Sequence, residues 1–432
     1  MGNGKVTRHQ LNNGMVILLK EVHSAPVISW WVMYRVGSRN EPTGRTGISH
    51  WVEHMMFKGT DQFPAGSLDR LVDRVGGTWN AHTFLDHTAY YETMPADQID
   101  LALRIEADRM VNAHFDPDET ESERTVIISE RQGSENSPTF WLDEEIHAAA
   151  FRVHPYHHQI IGDMTDLKTM TRDDLYGHYR QYYMPNNSIG VMVGAFDTDE
   201  MLAKIRVLYE AIPAGQLPRE FQREEPEQRG ERRVIVEREG NASYLTLAYR
   251  VPAASHEDWF KLAALDSILG GPSGPGGGNI GSKTSRLYKA LVEKELAVSV
   301  SGGISMTIDP YLYTIDATLR DGRTHQEIEA ALDAEITRLH DELVSQSELE
   351  KAKKQARAAF AYSNEGVTGQ AFWLAYSEHI ESYQLFGDYP ERLQAVTAED
   401  IQAVARKYLQ PSRRTVGWFI PIESNGTEGE DE

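Results

Sequence analysis

Apolar and polar positions follow two rhythms along this chain. Stretches with a two-residue period, or a short apolar run bounded by turn residues, read as strands. His9–Val22, HQLNNGMVILLKEV, sets Asn13-Gly14 between apolar positions, the signature of a hairpin. Val27–Val36 (VISWWVMYRV) and Thr88–Met94 (TAYYETM) read as further strands, and Arg233–Glu239 (RVIVERE) with Tyr244–Val251 (YLTLAYRV) take the same part later in the chain. Elsewhere the period lengthens to that of amphipathic helices, as over Gln326–Leu343 and Leu349–Tyr362. Asp116-Pro117 opens one helix, with Pro at its favoured first position, and Ser345 with Glu348 has the spacing of a capping box at the start of another. Strands followed by long helices predict an α+β fold, each sheet mostly antiparallel with helices laid on one face.

The pattern is written twice. Thr171–Gly194 and Thr397–Ile420 each read as a capped amphipathic helix, a Pro stop and an apolar strand. Thr171, Asp174, Tyr182 and Pro185 fall on Thr397, Asp400, Tyr408 and Pro411 at one constant offset. Between the halves, LPREFQREEPEQRGER is charged, holds Pro218 and Pro226 and lacks apolar periodicity, so it reads as a linker. The expected organisation is one domain over 1–216, a linker over 217–232, a similar domain over 233–422 and a solvated, disordered acidic tail over 423–432. A length of 432 residues accommodates two or three domains.

Composition narrows the function. The formal charge of −22 disfavours nucleic acid and anionic lipid as partners and suits a basic or neutral polypeptide. No run of about 18 apolar residues supports a membrane span, and the opening residues hold no apolar core of a secretory signal. Cysteine is absent, which removes disulfides and thiolate metal sites and says little about compartment.

Candidate chemistry centres on RTGISHWVEHMMFKGT, Arg45–Thr60. Helical spacing places His50 and His54 on one face, with Glu53 projecting near the same spot. Such a pair suits zinc, which in a catalytic site takes a third protein ligand and keeps one position open. Taken alone, the pair reads equally as polar residues on a surface helix. Glu123 and Glu130 lie two turns apart on the helix after Asp116-Pro117 and share a face. Glu130 follows Ile127 and Ile128, so it is expected beside core residues, where a carboxylate needs a partner.

These residues give the sequence its resemblance to the inverzincin zinc peptidases related to pitrilysin, insulin-degrading enzyme and the mitochondrial processing peptidase. GISHWVEHMMFKGT resembles the zinc helix of that family, and Glu130 stands at the spacing of its third ligand. Gly76–Met94, GGTWNAHTFLDHTAYYETM, is similar to the substrate strand, and HPYHHQIIGD and YYMPNNSIGVMVG are similar to two further family stretches. The resemblance implies zinc held by His50, His54 and Glu130, with Glu53 as general base. It also implies that Glu123 orients a ligand histidine, and that Asn80, Ala81 and Thr83 contact substrate. The implied architecture is a clamshell of two similar domains around an acid-lined chamber, the first catalytic and the second without metal. The expected activity is hydrolysis of unfolded peptides or presequences, in the cytoplasm of a bacterium, or in the periplasm if a leader has been removed.

Two departures qualify the resemblance. Active members carry an Arg and a Tyr in the second half. Here those positions are Leu291 or Val292, and Val298, none of which donates a side-chain hydrogen bond. This implies a metal-bearing subunit that works with a homologous partner supplying both donors, or a homodimer. The stretch Leu269–Tyr288 is longer and richer in glycine than usual and resembles the loop of the processing peptidase's non-catalytic subunit. Its GGGNIGSKT approaches a phosphate-binding loop, but Ser282 interrupts the Gly-Lys pair. Two rivals stand beside the peptidase: a non-catalytic structural subunit like the core proteins of respiratory complexes, and a maturation peptidase dedicated to one small peptide.

Overall fold

A computed structural model of the chain describes residues 4–217, 219, 223–272 and 283–422. The acidic tail lies outside the described residues, as do 273–282 of the glycine-rich loop and 218 and 220–222 of the charged stretch.

Eleven strands form two sheets among the described residues: β1 (Thr7–Gln10), β2 (Val16–Glu21), β3 (Val27–Tyr34), β4 (Thr78–Thr83), β5 (Thr88–Pro95), β6 (Ser188–Gly194), β7 (Arg232–Glu239), β8 (Tyr244–Val251), β9 (Ala297–Ile304), β10 (Tyr311–Leu319) and β11 (Arg414–Ile422). The first sheet has the order β1-β2-β6-β3-β5-β4, the second β7-β11-β8-β10-β9. Each has a single parallel pair, β2 with β6 and β7 with β11, and is otherwise antiparallel. From β2 and from β7 onward the two sheets therefore match strand for strand.

The helices are α1 (Ile48–Met55), α2 (Leu68–Arg74), α3 (Ile99–Asn112), α4 (Pro117–Glu135), α5 (Pro138–Ala150), α6 (Met164–Thr169), α7 (Arg172–Tyr182), α8 (Thr198–Tyr209), α9 (Trp259–Leu269), α10 (His325–Asp341), α11 (Gln346–Ser363), α12 (Val367–Ile380), α13 (Gln384–Gln394) and α14 (Ala398–Tyr408). The duplicated segments are α7–β6 and α14–β11, and their caps agree in detail. Thr171 and Thr397 each accept the N–H of the third helical residue, while Asp174 and Asp400 each bond back to the Thr N–H. At α11 the expected box is only half made. Ser345 Oγ accepts the Glu348 N–H at 3.3 Å, but both Glu348 oxygens are taken by Arg286 at 2.8 Å, a charge-assisted fork that outcompetes a lone backbone N–H.

Packing divides the chain into two units: the described residues of Met1–Arg131, His154–Glu224 and Ala361–Asp388, and those of Gln132–Val153, Glu225–Phe360 and Tyr389–Glu432. In the first, Trp30, Val32 and Tyr34 of β3 join Leu103, Ile105 and Met110 of α3 in the core. Trp31 points to the opposite face, where it stacks on Tyr91 at 4.1 Å and tilts against Phe372 of α12. The second unit takes α5 against β7, β11 and β8 in the same way. Each unit thus borrows a helix from the other half of the sequence. The charged stretch before β7 is pinned rather than loose: Glu225 accepts the N–H groups of Arg152 and Val153 at 2.8 Å, and Gln228 Nε2 donates to the Arg414 carbonyl at 2.7 Å.

Candidate metal centre

Ile48, Trp51, Val52 and Met55 recur at helical spacing, and each is 2% exposed or less, so burial of this stripe fixes α1. The helix starts at Gly47 and stops at Met56, before a turn through Gly59. The stripe leaves His50, Glu53 and His54 facing away from the core. Both imidazoles are 18% exposed.

The third component comes from α4. Asp116 Oδ1 accepts the N–H groups of Asp118 and Glu119, capping the helix that Pro117 opens. Ile127 and Arg131 share its inward stripe, and Glu130 falls at the rim with 44% of its side chain exposed. Glu130 does stand beside the core residue Ile127, as expected, but at the rim rather than buried, so burial is not what demands a partner for it. Its Oε2 stands 3.6 Å from His54 Nε2 and 3.9 Å from His50 Nε2, and one ligand atom from each of the three side chains lies within 4.8 Å of the other two.

Second contacts settle the tautomer of His54. Its Nδ1 donates to Glu123 Oε1 at 2.7 Å, which leaves Nε2, 3.6 Å from Glu130 Oε2, as the unprotonated nitrogen of the neutral ring. Glu123 is 5% exposed and is paired on its other side with Lys58. Burial would raise the Glu123 pKa, but the bonds from His54 and Lys58 outweigh it, and the net shift is downward. Burial, then the neighbouring His54, pushes His50 down to about 3, so its imidazole is neutral near pH 7. Burial opposes charge on His54 too, but Glu123, Glu130 and Glu53 outweigh it and raise the pKa. Two imidazole nitrogens and a carboxylate oxygen converging in this way fit a zinc ion, whose ligands sit at about 2.0–2.2 Å.

Glu53 stands beside the three without joining them. It is 8% exposed, burial raises its pKa, and its Oε2 accepts the Thr83 hydroxyl at 2.6 Å. Thr83 ends β4, the edge strand of its sheet. Its hydroxyl hydrogen goes to Glu53, which leaves the oxygen an acceptor. Asn80 is exposed on the same strand, and its Oδ1 accepts the Ala81 N–H at 2.8 Å, a donor that β5 leaves free. In the second unit, Val298 is 64% exposed on the edge strand β9 and Leu291 is fully buried.

Sequence reasoning missed Lys58, although it follows His54 by one helical turn within the quoted motif. It also missed Glu41, which accepts the N–H groups of Gly47 and Ser49 at 2.8 Å and so caps α1 from a distance. Nothing in the spacing of Glu41 signals this role, because the contact depends on the loop that follows it.

Residues 16–164 match the profile described as Insulinase (Peptidase family M16), and residues 169–356 that of the Peptidase M16 inactive domain. The chain is 30% identical over 421 residues to the zinc protease PqqE of Helicobacter pylori, covering 95% of this chain and 92% of that one. It is 24% identical over 422 residues to an Arabidopsis thaliana protein named Probable mitochondrial-processing peptidase subunit beta, covering 96% and 78%. The crystal structure of a protease from Helicobacter pylori matches with a TM-score of 0.90 at 28% identity, over 97% of this chain and 100% of that one.

Proposed function

The chain belongs to peptidase family M16, and we propose that it is a zinc-dependent endopeptidase acting on unfolded peptides or presequences. The observation that carries this reading is the convergence of His50 Nε2, His54 Nε2 and Glu130 Oε2 in front of a buried carboxyl, Glu53, that is not one of the ligands. A zinc ion held there would supply Lewis acidity to water and to the scissile carbonyl. Glu53 would serve as base toward the attacking water and then as acid toward the leaving amine, a task that suits a buried carboxyl with one oxygen fixed by Thr83. Glu123 keeps the His54 proton on Nδ1 and so orients Nε2. An extended peptide adds to the free edge of β4 through main-chain hydrogen bonds, which demand little of its sequence, and Asn80 and Ala81 lie on that edge.

We further infer that a homologous second chain contributes Arg and Tyr donors to the site, because Leu291, Val292 and Val298 supply none. The relative named as a processing-peptidase subunit supports this assembly. A non-catalytic structural subunit is the alternative that Val298 favours, and the complete set of His50, Glu53, His54 and Glu130 weighs against it.

The test is metal content. The purified chain should carry about one zinc, and His54→Ala or Glu130→Gln should lose most of it. Full retention in either variant removes that residue from the ligand set. A wild-type chain that takes up no zinc on reconstitution overturns the reading.

A further inference from the structure

The stretch HPYHHQIIGD, His154–Asp163, has no part in the chemistry above, yet His154, Tyr156 and His158 turn inward. His158 is buried, and its Nε2 donates to Glu41 Oε2 at 2.8 Å. The Glu41 side chain is fully buried and accepts two more N–H groups, those of Gly47 and Ser49 at the start of α1. A buried carboxylate is tolerable only when satisfied in this way, and the first turn of a helix offers the free N–H groups it needs. The helix has no capping side chain of its own, because Gly47 stands at its N-cap with φ 85°. Any side chain there would also collide with the stretch itself: a Cβ would sit 2.5 Å from the Ile161 carbonyl oxygen and 2.9 Å from Gly162 Cα.

The same ten residues reach the other parts of the site. The Gly162 carbonyl accepts from Arg131 Nη1 at 2.5 Å, and Arg131 directly follows Glu130. The Tyr156 hydroxyl donates to Asp86 Oδ1 at 2.6 Å, in the turn that follows Thr83. The Asp163 N–H donates to Thr46 Oγ1 at 2.8 Å, just ahead of α1. His158 Nδ1 meets no hydrogen-bond partner among the described residues, so Glu41 is the polar contact that accounts for an imidazole at this position.

We propose that His154–Asp163 braces the zinc site, holding α1, the Glu130 end of α4 and the β4–β5 turn in register, with His158 and Glu41 as positioning residues. Neither touches the metal. The brace rests on the reading that His50, His54 and Glu130 bind zinc. It matters because ligand positions must hold within a few tenths of an ångström, and three ligands on two helices inherit any slip between those helices.

The experiment compares His158→Leu, which fills the space without a donor, with His158→Gln, whose Nε2 reaches where the imidazole Nε2 does. Chelator competition measures zinc affinity, and hydrogen exchange of the metal-free protein reads the Gly47–Trp51 amides. His158→Leu should bind zinc about 10–100-fold more weakly, as loss of an outer partner does elsewhere, and should exchange those amides faster. Its kcat should fall with KM little changed. His158→Gln should stay within about threefold of wild type in zinc affinity, on the same scale of outer-partner effects. A residue that only fills space gives the reverse order, Leu tolerated and Gln not, and that result overturns the brace. Should His158→Leu fail to fold, His158→Asn, whose donor stops short of Glu41, takes its place with the same expected loss. Normal zinc binding by the donorless variant, with a wild type that binds zinc, overturns the brace alone. A wild type that binds no zinc overturns the metal reading and the role of the brace together.

Discussion

Helices α1 and α9 occupy the same seat in their units. Each follows the central strand of its sheet, β3 or β8, and each packs against an edge strand and a duplicated helix: β4 and α7 for the first, β9 and α14 for the second. Their surfaces differ. Helix α1 keeps a polar stripe of His50, Glu53 and His54 beside its apolar one, whereas α9 is buried all round except at Lys261. Both are tethered at their N-termini by a carboxylate, but Glu41 binds the backbone of α1, while Asp258, the N-cap of α9, binds side chains from α14. The scaffold is therefore indifferent to chemistry. A few side chains on one helix, and the α4 carboxylates opposite them, distinguish a candidate metal centre from an apolar core.

The sharpest way to break this comparison is to remove the chemistry from α1 and leave its packing. Glu53→Gln still accepts the Thr83 hydroxyl and removes no ligand, so zinc content should be unchanged while peptide hydrolysis falls by about 10²–10⁴-fold, the usual worth of a general base. Turnover near wild type would mean that the stripe does not explain what separates the two helices.

A second effect of nearly that size concerns the other unit. If the donors lacking at Leu291 or Val292 and at Val298 of β9 come from a homologous chain, adding that chain should raise kcat by about 10²–10³-fold, the value of one oxyanion donor. Full activity of this chain alone on a long unstructured peptide would show that something here replaces them.

What was legible in the sequence follows the same divide. Strands β3, β5 to β8 and β11, the hairpin at Gly14 and the duplicated Thr–Asp caps depend on neighbours in the chain, and the pattern displayed them; β9 and β10 it did not, and β4 came with the resemblance. The trio His50, His54 and Glu130 was legible because two of its members share one helical turn and the resemblance supplied the third. The exchange of α5 and α12 between units was not, since an amphipathic helix does not say which sheet it covers. Nor was the fully buried group of Arg109, Glu92 and Glu106 beneath Tyr90. Charged residues on α3 and β5 read as solvated until the fold brings them together, where burial and the nearby Glu106 carboxylate then raise the Glu92 pKa well above its usual range. Thr83 was assigned to substrate, and only the position of α1 shows its hydroxyl on Glu53.

A smaller change sharpens the comparison at the back of the site. Glu123→Gln keeps an oxygen for the His54 proton but loses the charge that pairs with Lys58 and that would favour a bound cation through His54. Zinc affinity should fall by about 10–100-fold, measured by chelator competition, with the fold intact. Unchanged affinity would make Glu123 a structural partner of Lys58 and nothing more.

The smallest expected effect lies on α9 and asks whether its tether is purely structural. Asp258 is 7% exposed at its side chain and receives Lys261 Nζ at 2.9 Å, Lys407 Nζ at 2.7 Å and the Tyr408 hydroxyl at 2.8 Å, with His256 Nδ1 at 3.8 Å. Burial alone would raise its pKa, but these bonds outweigh burial and hold it well below the usual carboxylate range. A carboxyl whose folded pKa is depressed stabilises the fold fully above its unfolded value, near 3.9, and loses that stabilisation as pH falls from there toward the folded value. Asp258→Asn should therefore lower the stability of its unit by about 1 kcal/mol at pH 7, a modest figure because Lys407 is half-exposed and screened. The gap between variant and wild type should hold from neutral pH down to about 4 and close below it, as urea midpoints across that range would report. Zinc affinity should not move, since no ligand or brace residue belongs to this helix. A variant that unfolds no more readily at pH 7, or one that weakens zinc binding, would show that the two tethers are not the independent devices their chemistry makes them.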